Sequence, residues 1–129
     1  MPSLVRKFYE ASVSGDEVVL WGDGLSKRDI MHSHDAARGL ITIMKKAKGR
    51  VNLATGRMLA IREIAEILGD ISGVGQCYRF DTSKPKGHEF VGINIDRLKA
   101  TGFEPSFTSE SGLASVYRWY AENSASARK

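Results

Sequence analysis

Val18-Val19-Leu20-Trp21-Gly22-Asp23-Gly24-Leu25-Ser26-Lys27-Arg28-Asp29-Ile30-Met31-His32 carries a short apolar run into a Trp-Gly-Asp-Gly turn, and an Arg-Asp pair follows. The run predicts a strand over Glu17 to Trp21, a glycine turn over Gly22 to Lys27, and a second short strand over Asp29 to His32. A strand would then deliver an indole to a turn that returns an arginine towards it. An aromatic face beside a guanidinium suits a ligand with a flat ring or sugar face and an anionic group. For an isolated Trp-Gly-Asp-Gly, a hairpin with a core tryptophan and a surface arginine is the commoner arrangement. Both readings stand at this point.

Outward from that stretch, Pro2 to Ala11 reads as a helix, with Leu4, Val5, Phe8 and Tyr9 at helical spacing and Ser14-Gly15-Asp16 as its stop. After His32, Ser33 or His34-Asp35 supplies a cap for a helix from about Ala36 to Lys46, with Ala37, Leu40, Ile41 and Met44 on one face. Val51 to Ala54 predicts a brief strand, and Met58 to Ile71 an amphipathic helix with Ile61, Ile64, Ala65 and Leu68 in register. Gln76 to Phe80 alternates weakly as a strand, Asp81 to Glu89 is a polar loop, and Phe90 to Ile95 is expected to be extended. A short helix over Asp96 to Ala100 and a final one over Glu110 to Asn123 complete the pattern. The fold class is α/β: a small mixed domain of short strands and several helices. So few brief strands seldom make a well-covered sheet alone, which points to a domain built to pack on something else.

With 129 residues the chain has room for one domain with a real core. No apolar run approaches the ~20 residues of a membrane span, and the first residues lack a signal-peptide core, so a cytoplasmic location is expected. The single cysteine, Cys77, excludes an internal disulfide, and its apolar-aromatic surroundings predict a buried inert thiol. The net charge of +4 is moderate. Its densest cluster, Lys45, Lys46, Lys48 and Arg50, falls at a helix C-terminus, where cations complement the dipole without any nucleic acid.

No glycine-rich dinucleotide fingerprint follows a first strand, since Gly73-Val74-Gly75 ends a helix rather than opening one. No tyrosine stands four residues before a lysine on a helix, and no serine sits in a nucleophile elbow. His32, His34 and Asp35 lack ligand spacing with His88 or Cys77, so no metal site is expected; His32 reads as a hydrogen-bonded structural histidine and Asp35 as a helix cap. What remains is recognition chemistry, with Lys7, Trp21, Arg28, Lys84 and Lys86 as candidates to gather round an anion. Taken singly, each is more often a solvated charge or a core aromatic.

Five stretches in one order carry a resemblance: Pro2-Ser3-Leu4-Val5-Arg6-Lys7-Phe8; Leu20-Trp21-Gly22-Asp23-Gly24 with Arg28-Asp29 and His32; Val51 to Arg57 with Ile61-Arg62-Glu63-Ile64-Ala65; Asp81-Thr82-Ser83-Lys84-Pro85; and Arg97-Leu98. Together they resemble the C-terminal half of the extended short-chain dehydrogenase/reductases, the NAD-dependent nucleotide-sugar epimerase/dehydratase family, most of all its GDP-L-fucose synthase branch. The resemblance runs from Pro2 to about Asn123.

In that family an N-terminal Rossmann domain holds NAD(P) and a Ser/Thr-Tyr-Lys set, and a smaller C-terminal domain closes over a nucleotide diphosphate-sugar. The resemblance therefore implies a substrate-binding domain over 1–123; the small, polar residues 124–129 read as a disordered tail. It implies that Lys7 approaches the nucleotide or its phosphates, that Trp21 lines the cleft, that Arg28 pairs with the diphosphate, and that Lys84 sits in the substrate-side loop. Catalytic and cofactor-binding residues would lie in the missing Rossmann domain, the implied partner, and the chain alone would be inactive. Two departures stand out. Phe90 occupies the place of a second basic residue, and His32-Ser33-His34-Asp35 replaces a usual His-Val-Asp-Asp. The alternative to a substrate-binding lobe is a stand-alone interaction module that forms homodimers through the surface otherwise turned to the Rossmann domain.

Overall fold

The computed structural model describes residues 2–87 and 92–127. Its core is carried by three helices. Val5, Phe8 and Ala11 recur every three residues along α1 (Pro2–Ser14) and are buried. They meet Ile64, Ala65 and Leu68 of α3 (Ile61–Ser72), all fully buried, and Leu113 of α5 (Ser109–Asn123). Tyr9, on α1, makes edge-to-face contacts with Tyr117 and Tyr120 of α5 at 6.2 and 5.4 Å. A buried phenylalanine such as Phe8 contributes about 1.5–3 kcal/mol relative to exposure, so these helices dominate the stability.

Val18 and Leu20 of β1 (Val18–Trp21) turn into the same core. β1 pairs in parallel with β4 (Tyr78–Asp81), from Val18 opposite Tyr78 to Trp21 opposite Asp81. β2 (Lys27–Asp29) pairs antiparallel with β3 (Met58–Ala60), Arg28 standing opposite Leu59. The opening turn therefore joins two different sheets and is not a hairpin. Gly22 and Gly24 both have positive φ, 81° and 74°, and a Cβ on Gly24 would lie 2.6 Å from the Phe80 ring. Carbonyls of the turn accept from the first turn of α3: Ile61 N–H donates to Ser26 O and Arg62 N–H to Gly24 O, both at 3.0 Å. Those bonds pull the chain towards α3 and away from a return along β1.

Several expectations shift. Helical periodicity carried the α3 prediction back to Met58, but residues 58–60 are β3. Helix α3 starts at Ile61, and Glu63 accepts the Ala60 N–H at 2.6 Å. The strand expected over 29–32 lies at 27–29, and that over 76–80 at 78–81. Val51–Ala54, expected as a strand, belongs to no sheet among the described residues. Cys77 precedes β4 in a turn and is exposed rather than buried. Of the stretch 90–95, Phe90 and Val91 lie outside the described residues, as do His88 and Glu89 of the polar loop, and 92–95 is irregular.

The largest revision concerns α2 (Ser33–Lys46). Its N-cap is His32, whose Nδ1 accepts the His34 N–H at 3.3 Å. Asp35 lies inside the helix, fully buried, and is not its cap. The apolar stripe of this helix is exposed: Leu40, Ile41 and Met44 are 54%, 52% and 82% accessible. The buried positions of this helix are Asp35 and Gly39. A short α4 (Asp96–Lys99) packs nearby through buried Leu98. Helix α5 runs on into turns, with Ala127 N–H donating to Asn123 O at 2.8 Å.

Candidate functional site

Lys7, Trp21 and Arg28 come from α1, β1 and β2, and the packing of α1 on β1 sets all three around one open cavity of about 380 Å³. Leu4, Leu20, Ile30 and Ile61 form its apolar wall, and Ser3 and Asp29 add polar groups. Trp21 ends β1 on the outward side of the pleat and is 63% exposed, so it is not a core tryptophan. The Lys7 ammonium donates to Val19 O at 2.7 Å, which ties the lysine to the strand two residues before Trp21. An ammonium carries three donors, so that anchor leaves capacity for an anion.

Arg28 is half-buried at the cavity wall, and its Nη1 donates to Lys27 O at 2.6 Å. Its neighbour Asp29 accepts three hydrogen bonds, from Thr55 N–H at 2.9 Å, Thr55 Oγ1 at 2.8 Å and Gly56 N–H at 2.7 Å. Antiparallel pairing with β3 and this carboxylate clamp fix the backbone that presents the guanidinium. A planar guanidinium with forked donors matches a phosphate or diphosphate.

Lys84 does not line the cavity but sits beside it, its Nζ 6.0 Å from the centre of the Trp21 ring. The turn that carries it is held by Asp81, which accepts from Ser83 Oγ at 2.5 Å and Ser83 N–H at 3.1 Å. The Ser83 hydroxyl, above all, holds the Asp81 carboxyl below its ordinary range. Beyond Lys84 the chain crosses the glycine turn. Ser26 Oγ donates to Gly87 O at 2.9 Å, and a Cβ on Gly87 would stand 2.9 Å from Arg28 Nη2. The basic character is therefore local: Lys7 and Arg28 in the cavity, Lys84 across the indole. The expectation tied to Phe90 lies outside the described residues.

Sequence reasoning did not single out Asp29 or Gly87. Asp29 carried only its adjacency to Arg28, because the groups it holds, Thr55 and Gly56, lie 26 and 27 residues away. Gly87 looked like an ordinary loop glycine, and only the tertiary approach of Arg28 gives it a role.

Asp35 and His32 build a different region. Asp35 Oδ2 accepts the N–H groups of Ser106 and Phe107, both at 2.9 Å, and Oδ1 accepts from Arg38 at 2.7 Å. Burial pushes this carboxyl up, but the backbone donors and the Arg38 and Ser106 side chains outweigh it and hold it at about 2. Phe107, so placed, stacks on His32 at 3.9 Å and 16°. The two rings wall a smaller apolar cavity of about 240 Å³ between α1 and α5. Asp35 is a structural anchor, and the reading of His32 as a hydrogen-bonded structural residue agrees with its cap and stacking. No helix among the described residues is long and apolar enough to cross a membrane.

The comparisons with known proteins fit this geometry. The model of the NAD dependent epimerase/dehydratase family matches residues 1–54, which carry Lys7, Trp21 and Arg28. A probable GDP-L-fucose synthase 1 of Oryza sativa subsp. japonica is 34% identical over the full length of this chain, which covers 40% of that protein. The fold of a GDP-L-fucose synthetase from Naegleria fowleri, solved with NADP bound, overlays 99% of this chain with a TM-score of 0.88 at 28% identity. This chain is similar to the extended short-chain dehydrogenase/reductases. The GDP-L-fucose synthase of Escherichia coli (strain K12) is 33% identical over 95% of the chain, again matched over only 42% of its own length. The chain thus spans about two fifths of the curated relatives it matches. Its structure is that of the C-terminal portion of Rossmann-type short-chain dehydrogenase/reductases.

Gly73 is the left-handed C-cap of α3, with φ 76°, so the Gly73-Val74-Gly75 stretch terminates a helix instead of presenting a helix N-terminus to a pyrophosphate.

Proposed function

We propose that this chain is the substrate-gripping lobe of an NAD(P)-dependent nucleotide-sugar epimerase or reductase, and that its ligand is a nucleotide diphosphate-sugar. One observation carries the reading. Lys7, Trp21 and Arg28, spread over three elements, converge on one cavity in a fold shared with GDP-L-fucose synthetases. In this reading Arg28 takes the diphosphate through paired N–H donors, and Lys7 adds a point charge along the same anion. Trp21 offers its face to the sugar or base, and Lys84 closes the site from the far side of the indole. NAD(P), held by a separate Rossmann domain, supplies the hydride chemistry in the complete enzyme. This lobe supplies orientation, by binding the remote diphosphate so that the sugar is placed for reaction. Alone, it turns nothing over.

The test is a titration of GDP-, UDP- and dTDP-sugars, followed by Trp21 fluorescence in a Trp119→Phe background. One nucleotide series should saturate the signal, and Arg28→Ala should weaken that binding about tenfold or more, the worth of a charge-assisted hydrogen bond. Equal affinities for the two proteins would contradict the diphosphate role. NAD(P)-dependent conversion by the isolated chain would contradict the division of labour.

A further inference from the structure

Residues 82–87 cross the turn 22–26 and are tied to it at both ends. At one end the Gly22 N–H donates to Asp81 O at 3.0 Å; at the other, Ser26 Oγ donates to Gly87 O at 2.9 Å. Between those ties the two segments touch through their glycines. A Cβ on Gly22 would lie 2.9 Å from the Lys86 Cα and 3.1 Å from its Cβ. A Cβ on Gly87 would lie 2.9 Å from Arg28 Nη2. Each segment therefore offers a glycine where the other brings a cationic residue, and only backbone without a side chain admits so close an approach.

The crossing fixes where the Lys86 side chain starts. Its Cβ lies against Gly22, one residue past Trp21. Consecutive Cα atoms are ~3.8 Å apart, so the Gly87 contact puts the Lys86 Cα within about 8 Å of Arg28 Nη2. The flexible stem of a lysine can carry its ammonium to an anion held by that guanidinium. Lys86 is exposed, and none of the ion pairs among the described residues takes it. The nearby carboxylates have other partners: Asp23 Oδ1 accepts the Leu25 N–H at 3.0 Å, and Asp29 is held by Thr55 and Gly56. Two cations set across one crossing repel each other, and an anion between them relieves that repulsion.

We infer that Lys86 is a second cation for the diphosphate: its ammonium and the Arg28 guanidinium grip one ligand from the two sides of the crossing, and the pair selects a diphosphate over a monophosphate. The inference deepens the substrate-lobe reading and takes its ligand class from it. The fork of Arg28 satisfies one phosphate by itself. A diphosphate carries charge on to a second group, which needs a second donor. Lys7 is tied to Val19 O, and Lys84 Nζ stands 6.0 Å from the centre of the Trp21 ring. Lys86 is the lysine whose own backbone is locked into the crossing that seats Arg28.

The experiment is an NMR titration of the 129-residue chain with inorganic diphosphate and, separately, inorganic phosphate, at fixed ionic strength. Diphosphate should bind saturably and shift the amide resonances of Gly22 and Gly87. Lys86→Met should weaken diphosphate at least about fivefold, on the scale of a hydrogen bond to a charged group, and leave phosphate within about twofold. Lys86→Arg should keep most of the diphosphate affinity. Lys86 is exposed, so the three proteins should melt together. Equal diphosphate affinities for wild type and Lys86→Met would overturn the inference, as would equal losses for diphosphate and phosphate, or no saturable diphosphate binding. Lost affinity that comes with a lower melting temperature and that Lys86→Arg does not restore would make Lys86 a support of the crossing, and would overturn it too. The nucleotide-sugar titration keeps the two readings apart. Sugars that fail to bind while diphosphate still depends on Lys86 sink the substrate-lobe reading alone; sugars that bind wild type and Lys86→Met alike sink only this one.

Discussion

The carboxylate of Asp35, on α2, holds the backbone N–H of Phe107, 72 residues later in the chain, at 2.9 Å. With the Ser106 N–H and the Arg38 guanidinium it makes a buried, fully engaged anion between α2 and the segment that enters α5. Its folded value of about 2 lies below the ordinary 3.8. A depressed carboxylate contributes stability that is fully present above the unfolded value and lost as pH falls towards the folded one. Stability should therefore decline between about pH 4 and pH 2. Asp35→Asn should remove about 1.5–3 kcal/mol at pH 7, the scale of a charged hydrogen bond, and flatten that acid slope. Chemical denaturation at a series of pH values checks it; an unchanged slope would remove Asp35 from the account.

Trp21 separates a core role from a contact role. It is 63% exposed, so Trp21→Ala should shift stability by no more than about 0.5 kcal/mol. Binding of the preferred nucleotide-sugar should fall several-fold in the same protein. A thermal melt beside a calorimetric titration distinguishes the two, and a large loss of stability with intact binding would return the indole to the core.

Gly87 should behave as a rest for the Arg28 guanidinium. Gly87→Ala would put a methyl 2.9 Å from Arg28 Nη2, at the far end of a flexible side chain. The arginine can swing aside, so the melting temperature should hold while nucleotide-sugar affinity drops. Arg28→Lys should lose affinity as well, because an ammonium cannot reproduce the fork. Matching affinities for wild type, Gly87→Ala and Arg28→Lys would count against a bidentate contact.

Gly24 makes the opposite prediction. At φ 74° and 2.6 Å from the Phe80 ring, an added Cβ meets both backbone strain and a ring of the packed interior. Gly24→Ala should cost about 1–3 kcal/mol from overpacking alone, and its effect on binding should follow from loss of fold. Denaturant midpoints compared with Gly102→Ala, where φ is 76° but no atom lies within 4 Å, isolate the steric part.

The sequence made the helices plain because Phe8, Ile64, Ala65 and Leu68 repeat the helical period on faces the fold does bury. It misplaced what depends on partners far along the chain. Met58 to Ala60 continue the period of α3, and only Lys27 to Asp29, about thirty residues earlier, make them a strand. The stripe of α2 is legible as apolar but not as exposed, since periodicity tells which face is apolar and not what covers it. Cys77 illustrates the same limit: Tyr78 and Phe80 follow it, but the chain turns before Tyr78 and leaves the thiol outside. For the site, Lys7, Trp21 and Arg28 were legible only as members of an ordered set. Their convergence on one cavity needed the packing of α1 on β1.

The parallel pairing of β1 with β4 joins residues 60 positions apart, and α5 closes on α1 from the far end of the chain. Among the described residues, every side chain that lines the cavity belongs to residues 3–61, whereas β4 and α5, which brace β1 and α1, come after them. During synthesis Lys7, Trp21 and Arg28 are therefore present long before they have a shape to hold. A nascent chain paused ahead of α5 would display Lys7, Trp21 and Arg28 on an unfinished scaffold, and the grip would assemble only with the closing helix.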